Sequence, residues 1–80
     1  MHIIGEPSDV LVLEKKKGDR IFFKVSLQIK DIDGIYPCYF WLDKREELPD
    51  LRQEVKALVK KAYKGEFFIQ IKSGDDNDLL

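Results

Sequence analysis

Two segments of this chain alternate like strands yet carry aromatic side chains on both faces, and that limits what they can fold into. Arg20 to Lys30 (RIFFKVSLQIK) places Phe23, Val25, Leu27 and Ile29 on one face, and Phe22, Lys24, Ser26, Gln28 and Lys30 on the other. Glu66 to Lys72 (EFFIQIK) does the same, with Phe67, Ile69 and Ile71 set against Phe68, Gln70 and Lys72. Period-two alternation requires a sheet with one face in a core. A Phe among Lys and Gln on the other face is unusual for a plain solvent surface, and it predicts a face that binds something.

With 80 residues the chain forms one domain with a single core. A content of 44% hydrophobic and 36% charged residues is that of a globular protein rather than a disordered one. Cys38 is the only cysteine, which excludes an intramolecular disulfide and fits a reducing compartment. No apolar run reaches the length of a membrane span, so the expected setting is cytoplasmic, without membrane association. Net charge is −1, but all 14 basic residues and only 12 of the 15 acidic ones fall in residues 1–72. The domain therefore has a small positive excess, and residues 73–80 read as a separate acidic, flexible tail.

Along the chain, Gly5, Pro7 and Ser8 predict a break before a short first strand, Asp9 to Glu14. Lys15 to Arg20 (KKKGDR) reads as a polar turn; its Lys run is a solvated hairpin loop that could contact phosphate. The second strand follows from Arg20 to Asp31, Asp33-Gly34 signals a type I′ hairpin, and Ile35 to Leu42 (IYPCYFWL) returns as a third. Pro37 cannot donate to a ladder and predicts an edge position for that strand.

From Asp43 the period changes. Asp43 and Glu46 have capping-box spacing, though Pro49 limits that stretch to a single turn. Leu48, Leu51, Val55, Leu58, Val59 and Ala62 recur at three- and four-residue intervals, which predicts a helix opened by Pro49 and ended at Gly65. The expected fold is thus α+β over residues 1–72, in the order β-β-β-α-β. An antiparallel meander is followed by one crossover helix, and the four-stranded mixed sheet has strand order 3-2-1-4 with the last strand parallel to the first.

On this reading the helix covers one sheet face and leaves the other open. If Tyr36, Cys38, Phe40 and Leu42 point inward, the open face holds Phe22, Tyr39, Trp41 and Phe68 with Lys24, Lys30 and Lys72 among them. Aromatic rings interleaved with Lys suit stacking of unpaired bases beside a phosphate backbone. The expected function is therefore non-enzymatic binding of single-stranded nucleic acid through those seven residues. The alternative is a protein-binding module, an inhibitor or adaptor of the mobile-element kind, or a homodimer joined through the same face. The bland reading is that the second face is covered, for example by His2, Ile3 and Ile4, and is simply more core.

Other chemistry is thin. One His and one Cys cannot supply a His/Cys zinc site, and no cofactor motif is present. Glu46, Glu47 and Asp50 are explained by the start of the helix more simply than by a metal. Cys38 reads as a small core residue, not a nucleophile, so no catalytic residue is expected. The ending SGDDNDLL, with Asp75, Asp76, Asp78 and the tip Leu79-Leu80, resembles in character the tails by which bacterial single-stranded DNA-binding proteins recruit partners. A helix between the third and fourth strands also occurs in the OB-fold those proteins use. The resemblance covers eight residues and an element order, and the barrel's fifth strand has no counterpart in the expected elements. It implies a partner-binding tail; a solubilising end is the plain alternative.

Overall fold

The computed structural model describes residues 1–72, the side chain of Lys72 excepted. The tail residues Asp75, Asp76, Asp78, Leu79 and Leu80 lie outside the described residues. The chain runs β1 (His2–Lys17), β2 (Arg20–Asp31), β3 (Gly34–Leu42), a 3₁₀ turn (Arg45–Glu47), β4 (Val55–Tyr63) and β5 (Glu66–Lys72). The five strands close into a barrel in the order β1-β2-β3-β5-β4, with β4 pairing back onto β1. The expected α+β fold with a covering helix is therefore corrected to an all-β barrel. Its strand pairs are antiparallel except for β3 with β5.

The expected helix fails because its apolar positions satisfy two periods at once. Val55, Leu58, Val59 and Ala62 fit a helical stripe, but Val55, Ala57 and Val59 also alternate. In the barrel Val55 and Ala57 are buried and Val59 packs against the core. β4 is held by β1 on one side and β5 on the other, and those pairings decide between the periods. Leu48 to Glu54 is irregular, with the Asp50 carboxylate accepting the backbone N–H and Nε–H of Arg52. The 3₁₀ turn lies over one end of the barrel, its Arg45 guanidinium 5.1 Å from the centre of the Phe23 ring.

β1 is also longer than expected. Gly5, Pro7 and Ser8 do not break it; they let it bend. A register shift between Ser8 and Leu11, with Asp9 at φ 53, curves the strand. Glu6 to Ser8 and Leu11 to Lys17 pair with β2, whereas His2 to Gly5 pair with β4. Gly5 stands at the changeover, where a Cβ would come within 1.9 Å of the Lys30 carbonyl oxygen. Only glycine permits that approach. Ile3 is consequently core, not a cover for an outer face.

Three smaller expectations are corrected with it. β5 lies parallel to β3, not to β1, and β3 is an interior strand. Pro37 is tolerated there because β5 joins β3 only at Cys38↔Phe67 and Tyr39↔Phe68, past the proline. The β2–β3 turn centres on Ile32-Asp33, since Asp31 pairs with Gly34, and neither central residue has positive φ. The turn with positive φ at both centres is instead Lys64-Gly65, at 51° and 83°, between the paired Tyr63 and Glu66. Lys15 to Lys17 belong to β1, so the first hairpin turn is only Gly18-Asp19.

The core consists of Ile3, Val25, Leu27, Ile29, Cys38, Phe40, Val55, Ala57 and Ile69, with Tyr36, Leu42, Phe67 and Ile71 packed against it. In β2 burial alternates strictly from Phe23 to Ile29. The outer face of the same strand is where the remaining aromatics gather.

Candidate nucleic-acid interface

Cross-strand pairing aligns the outward side chains in rungs. Leu11 of β1 stands opposite Ser26 of β2, Ser26 opposite Tyr39 of β3, Tyr39 beside Phe68 of β5, and Phe68 opposite Lys61 of β4. The next rung toward the β1–β2 turn is Leu13, Lys24 and Trp41, followed by Lys15 and Phe22. Three adjacent strands thus bring Phe22, Tyr39, Trp41 and Phe68 into one patch.

The rings touch in sequence. Phe22 and Trp41 are tilted with centroids 5.5 Å apart, Tyr39 meets Trp41 edge-on at 6.3 Å, and Tyr39 stacks on Phe68 at 5.4 Å. Such spacings are within the usual range for aromatic pairs. Trp41 is 45% exposed, while Phe22, Tyr39 and Phe68 are half-buried and present their remaining surface outward. Tyr36 and Phe67 form a separate edge-on pair, at 5.6 Å, and both pack against the core.

Cations sit on this patch. The Lys24 ammonium lies 4.9 Å from the Tyr39 ring centre and 5.9 Å from that of Trp41. The Arg20 guanidinium is 5.3 Å from the Phe22 ring and also pairs with Asp43 at 2.8 Å. Arg52 pairs with Asp50, and among the described residues Lys24 makes no ion pair with a carboxylate. On the β4–β5 hairpin, Tyr63 is 60% exposed beneath Lys61 and Lys64, at 6.0 and 5.3 Å. Cation–ring contacts of this kind hold an ammonium near a flat apolar surface.

Of the seven residues expected on the open face, the structure brings together Phe22, Lys24, Tyr39, Trp41 and Phe68. Lys30 is elsewhere, at the other end of β2 opposite Ile35 and beside Glu6. The Lys72 backbone pairs with Lys56. Sequence reasoning missed Arg20, although it shares the parity of Phe22 and Lys24 on one strand. It also missed Tyr63, Lys61 and Lys64, because they were assigned to a helix end.

The remaining candidates have local roles. Glu47 Oε1 accepts the backbone N–H groups of Asp43 and Lys44, each at 3.2 Å, so Glu47 rather than Glu46 caps the turn. Among the described residues no three His, Cys, Asp or Glu side chains cluster as a metal site would require. Cys38 is buried, its thiol donates to the Tyr36 carbonyl at 3.3 Å, and burial pushes its pKa up to about 11. An activated cysteine needs the opposite shift. No helix among the described residues is long and apolar enough to cross a membrane.

Comparison with protein-family models, curated proteins and solved structures returned no match.

Proposed function

We propose that the outer face of β2, β3 and β5 binds an unpaired nucleic-acid strand, and that the protein acts by binding rather than by catalysis. The observation that carries this reading is the continuous row Phe22–Trp41–Tyr39–Phe68 with Lys24 and Arg20 lying against its rings. Exposed ring surface gives bases a platform, and the adjacent cations lie where a backbone phosphate would pass. Wiring adds support by analogy: OB-type barrels bind oligonucleotides on the β2–β3 face and with the β1–β2 and β4–β5 loops. Here the rings occupy that face, and Lys61, Tyr63 and Lys64 occupy the β4–β5 hairpin.

The test is a fluorescence titration of Trp41, the only tryptophan, with single-stranded oligonucleotides of about 12 nucleotides. Binding should weaken with salt at a slope of about −0.7 in log–log form for each phosphate neutralised, hence about −1.4 to −2.8 for two to four cations. No signal at low salt in either fluorescence or anisotropy of labelled oligonucleotide would refute the reading. Trp41→Ala should cost roughly 5- to 100-fold in affinity, as expected for one lost stacking partner. Because the ring is half exposed, the same change should alter stability by no more than about 1 kcal/mol.

A second reading, a protein partner or a second copy of this chain on the same face, is favoured by one observation. Leu11 and Leu13 of β1, 53% and 37% exposed, extend the patch with apolar rather than cationic surface. Sedimentation at high concentration separates the dimer version: a self-association abolished by Trp41→Ala would support it, and a strict monomer would remove it.

A further inference from the structure

β3 and β5 stay together for only two register pairs, Cys38↔Phe67 and Tyr39↔Phe68, and then part. Between them the barrel wall opens into a groove of about 450 Å³. Trp41 and Phe68 form aromatic walls, the floor is apolar with Phe40, Leu42, Ile69 and Ile71, and Lys60, Gln70 and Glu47 are among the other lining residues. On the other side of Trp41 is a second recess of about 430 Å³, again reaching Glu47 and including Arg20, Phe22 and Asp43. Each volume lies in the lower part of the roughly 300–1,000 Å³ range of small-ligand sites.

Glu47 is the unexpected member of this set. Beyond its capping role, a carboxylate here repels phosphate, so any ligand group that meets it favourably must be a donor. Its Oε1 is held by the N–H groups of Asp43 and Lys44, both at 3.2 Å, which fixes the side chain and leaves Oε2 outside those two bonds. An ionised carboxylate accepts and cannot donate. Gln70 can do both and therefore does not discriminate among bases.

We propose that this groove takes one base of the bound strand, its ring against Trp41 or Phe68, and that Glu47 selects bases bearing an exocyclic amino group. The proposal rests on the nucleic-acid reading above and adds base preference to it. Cytosine presents an N4 amino group that a Glu accepts from. Thymine and uracil place a carbonyl oxygen at the same position, and that oxygen faces the carboxylate repulsively. Lys60 at the rim is placed to meet the backbone phosphate as the base turns inward.

The experiment compares oligodeoxycytidine with oligothymidine, each about 12 nucleotides long, on the unmodified chain and on Glu47→Gln. One discriminating hydrogen bond should favour the cytidine strand by about fivefold or more, the low end of what a specific base contact provides. Glu47→Gln retains an oxygen for the two N–H groups and puts an amide donor in place of Oε2. It should therefore melt like the parent chain and abolish or reverse the preference. Equal affinity of the parent for the two strands overturns this inference while leaving general binding intact. So does a cytidine preference that survives Glu47→Gln. Failure of both strands to bind at low salt overturns the nucleic-acid reading itself, and this inference with it.

Discussion

At Gly5, β1 leaves β4 for β2 through an approach so close that a single methyl group would collide with the Lys30 carbonyl. At Tyr39, β3 holds β5 through the second of two register pairs, and beyond it the wall opens beside Trp41. Both places are needed to close the same barrel, yet one is backbone packed against backbone and the other is a seam with a groove in it. The tight closure is made by β1 switching partners, which leaves no room for side chains at the crossing. The loose closure follows from parallel strands that diverge, so large side chains such as Trp41 and Phe68 line the gap. The first closure therefore tolerates no added atom, and the second carries the groove that we propose for recognition.

The largest effect should come from Gly5→Ala. A Cβ 1.9 Å from a carbonyl oxygen cannot be relieved by a side-chain rotation, so the crossing must shift. We expect a loss on the order of 4 kcal/mol or more, seen in urea or thermal unfolding. A variant that melts within about 1 kcal/mol of the parent would show that the first closure is not as tight as its geometry implies. Next, Ile29→Ala at a fully buried position of β2 should cost about 3 kcal/mol, whereas Ile71→Ala beside the open seam should cost about half as much, because less of Ile71 is buried. Equal losses would erase the contrast between closed wall and seam.

Cys38 reports on the seam directly, since it pairs with Phe67 where β5 joins β3. Burial raises its thiol to about 11 from an ordinary 9.0. The folded chain therefore holds the proton more tightly than the unfolded chain. Stability from this source is complete below pH 9 and is lost as pH rises toward 11, on the order of 2 kcal/mol in total. Unfolding measured across that window should show the decline in the parent and a shallower one in Cys38→Ala. Identical slopes would mean that the thiol is not sealed in the core.

The two-faced strands were legible before any fold was known. Strict alternation in β2 and β5 placed Phe23, Val25, Leu27, Ile29 and Ile69 inward and Phe22 and Phe68 outward, because the parity of a strand is a property of the strand itself. The outward position of Tyr39 and Trp41 required the register of β3 against β2, which buries Cys38 and Phe40. What could not be read was β4. Val55 to Tyr63 satisfies both a helical and a strand period, and nothing local chooses between them. Lys30 was misjudged for a related reason: parity gives the face of a sheet but not the position along a curved barrel.

The sequence alone determined which side chains of β2 and β5 share a face, since the period of two is built into extended backbone. Tertiary structure decided that β1 bends at Gly5, that β4 is a strand and that β5 lies parallel to β3. Those outcomes depend on partners far along the chain, whose hydrogen bonds satisfy backbone groups that local sequence leaves undecided. The β2–β3 and β3–β5 pairings are also what gathered the outward aromatics of three strands into one surface.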